Sequence, residues 1–187
     1  YAGFAATGNA FTAIGTQSGM NSKGSNWTAV GKDSGGSSTG EYWTAVGKSS
    51  GAGSAGDLWA AFGYNSGTGT RGDGWTAIGS DSAISASGTN WTAVGRGAGA
   101  YSTGTRWSAF GDYTGYGSTG DYWVALGNYA GRFAVWSNST AVGQWAGRSA
   151  TGTNRLYIDV YDADSDPGAD GGTNDVIFSD NGNLNLG

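Results

Sequence analysis

The densest run of chemistry-bearing side chains is Asp162-Ala163-Asp164-Ser165-Asp166-Pro167-Gly168-Ala169-Asp170. Carboxylates at alternate positions ahead of a glycine are how loops gather hard oxygen ligands for calcium. Two departures count against that use. Pro167 takes the sixth position, where a helix–loop–helix calcium loop needs Gly, and Thr173 stands where its bidentate Glu belongs. Asp162, Asp164, Asp166 and Asp170 therefore read first as a solvated acidic turn, with calcium as the alternative and no other cofactor implied. A second group is aromatic: Tyr101, Tyr113, Tyr116, Tyr129, Phe133, Trp136 and Trp145. Such rings stack on sugar faces and anchor interfaces; the competing reading is simple packing at corners and seams. The chain holds no His and no Cys, which removes imidazole triads, thiol nucleophiles, His-based metal sites and disulfides. Asp33, Glu41, Asp57, Asp73, Asp81, Asp112 and Asp121 fall mainly at turn positions without a distinctive pair, so a two-carboxylate glycosidase is not indicated. The expectation is a non-catalytic protein.

What must position these residues is a 16-residue unit, present in nine copies up to about residue 150. Phe11, Trp27, Trp43, Trp59, Trp75, Trp91, Trp107 and Trp123 share one slot, which lapses to Ser139 without losing step. Two residues later comes Ala in every copy, then an aliphatic residue or Phe (Ile14, Val30, Val46, Phe62, Ile78, Val94, Phe110, Leu126, Val142), then Gly. Strict periodicity over this length marks a solenoid, whose coils bury their faces by stacking on one another. The 38 glycines recur in this frame rather than at every third residue, which excludes a collagen-like chain. Nine Trp exclude a disordered linker.

The block Trp-Thr-Ala-Val-Gly and its variants predict a short strand, β-branched and aromatic between Gly, Ser and Asn. Side chains alternate, so Trp and Ala share one face while Thr and Val share the other. Both faces are rich in residues that favour burial, and a thin roll covers only one of them. The remaining half of the unit is small and polar, suited to a second, thinner strand and two turns. Nine coils at ~4.8 Å make a rod roughly 43 Å long. An apolar ladder of that length exceeds what a soluble monomer ordinarily exposes, which implies a homo-oligomer. Of the two assignments of the faces, the preferred one puts the Ile/Val/Phe ladder inside the roll. Trp27, Trp43, Trp59, Trp75, Trp91, Trp107 and Trp123 then form a ladder between subunits. The Thr slot (Thr12, Thr28, Thr44, Thr76, Thr92, Thr140, with Ser108) raises an ice-binding alternative, although Ala60 and Val124 interrupt the row.

Charge narrows the partners. The net charge is −5; residues 1–150 hold 8 basic and 7 acidic residues, whereas 151–187 hold Arg155 against seven Asp. No basic stripe suits a nucleic acid. No apolar run approaches the roughly 18 residues of a membrane span, and no secretory signal is evident. The repeat is already running at Tyr1, so a segment of a longer protein is expected.

The core of the unit, x-x-Ala-Val/Ile-Gly-x-x-Ser/Ala-Gly, resembles the head repeats of trimeric autotransporter adhesins and similar repeats in bacteriophage tail-fibre and tail-spike proteins. Asn154-Arg155-Leu156-Tyr157-Ile158-Asp159 and the closing Gly182-Asn183-Leu184-Asn185-Leu186-Gly187 look like shaft segments that follow such repeats in phage fibres. The adhesin heads have shorter units and no Trp. The resemblance implies a left-handed parallel β-roll, a homotrimer, an extracellular place on a virion tail fibre or a bacterial surface, and attachment to host or glycan. The fold class expected is therefore an all-β, parallel β-roll solenoid with 16-residue coils, in a homotrimeric fibre. It divides into a nine-coil repeat domain at 1–150 and a strand cap or shaft transition at 151–187.

Overall fold

The computed structural model describes residues 1–159 and the strand at 175–178. The acidic string and its candidate calcium ligands Asp162, Asp164, Asp166 and Asp170 lie outside the described residues. The strands are β1 (Phe11–Ile14), β2 (Trp27–Val30), β3 (Thr44–Val46), β4 (Ala60–Phe62), β5 (Thr76–Ile78), β6 (Thr92–Val94) and β7 (Ser108–Phe110). They continue as β8 (Val124–Leu126), β9 (Val135–Ser137), β10 (Thr140–Val142), β11 (Thr151–Thr153), β12 (Leu156–Asp159) and β13 (Asp175–Phe178). One 11-stranded sheet runs β1-β2-β3-β4-β5-β6-β7-β8-β10-β12-β13. Every pairing up to β12 is parallel, and each residue faces the one sixteen later, as Thr28↔Thr44 and Thr140↔Leu156. The chain is a parallel β-solenoid that climbs one coil per sequence unit, and the register persists through β12. β13 then pairs antiparallel with β12 and covers that edge.

The polar half of the unit is built from turns. In the coil that begins at Phe11, Ser18 N donates to Gly15 O, Met20 N to Gln17 O and Ser22 N to Gly19 O, at 3.2–3.3 Å. Gln17, Gly19 and Asn21 carry φ of 58°, 61° and 57°, and positive φ at the third residue of a turn marks type II geometry. Three overlapping turns thus replace most of the expected second strand. What remains of it is a column of single parallel bridges, from Thr7↔Lys23 to Thr119↔Val135. It widens to three residues only where β9 pairs with β11. There Trp136 stands at the slot that elsewhere holds a positive-φ glycine, and the backbone extends.

The interior reverses the preferred assignment of the faces. Trp27, Trp43, Trp59, Trp75, Trp91, Trp107 and Trp123 are at most 2 % exposed within a single chain. They form a column inside the roll, so they are not the subunit interface. Successive indoles stack at 4.6–5.1 Å with 1–8° between planes, and Phe11 continues the column at 4.5 Å. The reason is large-against-small packing. The opposite wall is Gly and Ser, and a Cβ at Gly51 or Gly67 would come 2.6–2.7 Å from the Trp59 or Trp75 ring. The gap between walls is one indole wide, and Val in its place would leave a void. Ala83 is the exception among these wall glycines, and Trp75–Trp91 is the widest step among the seven repeat-slot indoles at 5.1 Å. Inward hydroxyls close the wall: Ser34 Oγ donates to Ala45 O, Ser50 Oγ to Ala61 O and Ser66 Oγ to Ala77 O, each at 2.9 Å.

Candidate functional site

With the indoles inside, the outward face of the long sheet carries the Thr and Val slots. Ile14, Phe62, Ile78, Phe110, Leu126 and Val142 are 37–58 % exposed, while Val30, Val46 and Val94 are half-buried. The neighbouring Thr28, Thr44, Thr76, Thr92, Ser108 and Thr140 are half-buried on the same surface. No charged residue occupies either column from Thr12 to Val142. Parallel register sets these side chains in straight rows. Such a surface can bind another apolar, periodic surface, or order water beside its hydroxyls.

A second arrangement lies on the turn side, late in the chain. Tyr113, Tyr129 and Trp145 share one slot and stack in a column, at 5.6 Å and 4.3 Å with planes within 10°. Tyr116 sits against Tyr101, Tyr113 and Phe133, at 5.4, 5.7 and 5.7 Å. Six of the seven rings singled out from sequence are therefore brought together. The seventh, Trp136, is 2 % exposed, between Trp123 and Tyr157 at 5.9 and 6.0 Å. It fills the interior at the coil where Ser139 leaves the Trp slot short, so it is a core residue and not a glycan contact.

Arginines complete the cluster, and reasoning from sequence missed them. Arg96 lies over Tyr113 at 5.2 Å, and Arg148 over Trp145 at 4.6 Å. Arg132 lies against Tyr116, Tyr129 and Phe133, at 5.5, 5.1 and 4.6 Å. Their signal was positional: Tyr116, Arg132 and Arg148 follow one another at sixteen-residue steps. Arg96 also grips Asp112 through two bonds of 2.7 Å. Those hydrogen bonds, with the guanidinium charge, hold the Asp112 carboxyl below the usual carboxylate range. Arg96 is exposed and Asp112 half-buried, so the pair orders the surface more than it stabilises the fold. Tyr101, Tyr113, Tyr129, Phe133 and Trp145 all hold φ between 49° and 68°. Early coils fill the same turn slots with Gln17, Asn21, Asp33 and Ser37, and Asn and Asp adopt this conformation at lower cost. Bulky rings here accept strain that smaller polar residues would avoid.

Among the described residues, no group of three acidic residues is placed to hold a metal ion, and no helix is long and apolar enough to cross a membrane. Comparison with known proteins gives no match to a family model, a curated protein or a solved structure.

Proposed function

We propose that this chain is a non-catalytic segment of an extracellular fibre, a stiff β-roll that associates with copies of itself through the Thr/Val face of its long sheet. The observation that carries the reading is the uncharged outward ladder that runs unbroken for nine coils. A second copy is the occupant such a surface suits best, because its own rows repeat at the same rung spacing and can match register along the whole rod. The resemblance of the repeat to adhesin heads and phage tail fibres supports a trimer, on a virion or a bacterial surface. Display of an attachment surface for host glycans is the further role, and the late aromatic cluster is its candidate. Sedimentation of the intact protein is expected to give three times the 18.8-kDa chain mass. Paired Val46→Lys and Phe110→Lys substitutions should reduce it to a monomer with unchanged far-UV circular dichroism. A native protein that sediments as a monomer overturns the proposal.

One alternative has its own observation: the Thr column faces outward rather than into the roll. Straight rows of hydroxyls at ~4.8 Å can order water and bind ice. Phe62 and Phe110 rise from the adjacent row and Ala60 and Val124 break the hydroxyl row, which counts against a flat ice-binding surface. A monomer with thermal hysteresis, lost on Thr76→Leu together with Thr92→Leu, would favour ice binding. Ordinary freezing would dismiss it.

A further inference from the structure

The late coils hold a guanidinium that packing fixes in place while no acid pairs with it among the described residues. Residues 91–150 carry four Arg against Asp112 and Asp121. Both acids are engaged: Asp112 with Arg96, and Asp121 as acceptor from Thr105 N at 2.7 Å and Thr105 Oγ1 at 3.1 Å. Among the described residues the Arg132 side chain makes no hydrogen bond and no ion pair. Rings hold it instead. The centroids of Tyr116, Tyr129 and Phe133 lie 4.6–5.5 Å from its guanidinium carbon. Tyr129 is itself clamped between Tyr113 and Trp145. The Nε of Arg132 is covered and without a partner. The side chain as a whole is half-buried, so the Nη groups at its tip are the part left to solvent.

We infer that Arg132 and Phe133 bind the carboxylate of an acidic pyranose, a uronic or sialic acid displayed on a glycan. With Nε closed off, the fork that remains is the end-on Nη pair. Its parallel N–H groups match the two oxygens of a planar carboxylate, and the bonds they make are charge-assisted. A guanidinium already held by packing loses little freedom on pairing, which favours binding over that of an ordinary surface Arg. Phe133 supplies the second contact. It is 45 % exposed and its ring lies 4.6 Å from the guanidinium carbon, so the apolar C–H face of the sugar has a ring to lie on. Gly117 seats that ring, because a Cβ there would come 2.8 Å from it. Phe133 also holds a φ of 59° in a slot that carries Ser37, Ser85 and Ser149 in other coils, so the turn itself does not ask for an aromatic residue. A neutral sugar offers the fork no charge, and a tetrahedral sulfate matches its plane less well. The inference rests on the attachment part of the proposed function, whose ligand class it names. It is independent of the assembly part, since these residues are on the turn side, away from the Thr/Val face.

The test is a titration of the isotope-labelled full chain with the methyl glycosides of glucuronic acid, N-acetylneuraminic acid and glucose, and with glucose 6-sulfate. Amide-shift and saturation-transfer measurements are the readout. At least one of the two carboxylate sugars should bind saturably, at least tenfold more tightly than the glucoside, with shifts centred on Arg132 and Phe133. Arg132→Met should weaken that binding at least tenfold; the same slot carries Met20 in an earlier coil, so the fold tolerates it. Arg132→Lys keeps the charge without the fork and should weaken binding severalfold, as should Phe133→Ser. Unchanged affinity in Arg132→Met, or preference for the sulfated sugar, would overturn the inference. Binding that appears only when Asp162, Asp164, Asp166 and Asp170 are all replaced by Asn would make the chain's own acidic string the occupant, and overturns it as well. Equal binding of the glucoside, with shifts centred on Tyr129 and Trp145, overturns it while leaving glycan attachment by the cluster standing. Absence of binding to any of the four removes both, and sedimentation still decides the assembly separately.

Discussion

Gly56→Ala should abolish cooperative folding, whereas Gly53→Ala, three residues earlier, should leave the melting temperature within a few degrees. Both glycines have positive φ, 126° and 70°; 70° lies at the left-handed region that other residues enter, whereas 126° lies beyond it. Their surroundings separate them further. Gly56 belongs to a column with Gly40 and Gly72 in which consecutive coils meet backbone to backbone. A Cβ on Gly56 would lie 2.6 Å from the Gly72 carbonyl carbon and closer still to its oxygen. That oxygen is fixed in the next coil, whose amides are tied downward by bonds such as Gly72 N to Ala55 O at 2.9 Å. Nothing flexible can yield, so the coils must separate, and a loss above about 4 kcal/mol is expected. Gly53 has no atom within 4 Å of the added Cβ, and its slot holds Asn21, Ser37 and Tyr101 in other coils. Only the left-handed backbone is then penalised, at about 1 kcal/mol, or roughly 2–4 °C for a chain of this size. Thermal unfolding followed by circular dichroism checks the pair. Equal melting of the two variants would show that the stacked glycine column does not hold the coils.

How much of this was legible beforehand follows from what periodicity encodes. The recurrence of Trp27, Trp43 and Trp59 at constant separation states the coil length, and the parallel register Thr28↔Thr44↔Ala60 follows directly. The side on which the indoles fall is a different kind of fact. Alternation places Trp and Ala together but says nothing about which face the rest of the coil folds over. That choice is made by the glycine wall, where Gly51 and Gly67 leave the one space in the coil that fits an indole. Reading those glycines only as corners hid their second role. Trp136 misled in the same way: outside the Trp slot in sequence, it enters the Trp column in space because Ser139 leaves a gap there. The aromatic cluster was legible as composition, and its sixteen-residue steps could have shown that Tyr113, Tyr129 and Trp145 stack. That the Tyr113 ring settles over Gly97 could be found only by noticing that this slot is empty where Asp81 and Tyr129 fill it. An absence of bulk seldom attracts notice in a chain this rich in glycine.

The inward indole column makes a further prediction, and two residues of one coil separate it from the outward alternative. Trp75→Ala is expected to destabilise the roll by about 3–5 kcal/mol, the usual cost of truncating a buried large aromatic. The cavity falls between Trp59 and Trp91, which stack on it at 4.7 and 5.1 Å, and small residues line the opposite wall, so neighbours cannot collapse into it. Because each coil is supported mainly by the next, the break should uncouple the two halves of the stack and broaden the melt. Trp75→Phe should cost less than the Ala variant, since Phe11 already stacks on Trp27 at 4.5 Å with planes 7° apart. Ile78→Ser, three residues along and on the outer face, should cost under about 1 kcal/mol in the isolated chain, because Ile78 is 41 % exposed there. Its effect belongs to assembly: if copies meet through the Thr/Val face, the sedimenting mass falls while the melting of the monomer barely moves. Near-UV circular dichroism adds a direct readout, as coupled indoles give a signal that Trp75→Ala should diminish and Ile78→Ser should leave intact. Were Ile78→Ser to unfold the chain and Trp75→Ala to spare it, the indole column would not be the interior of the roll, and the outward ladder on which the fibre reading depends would be the wrong one.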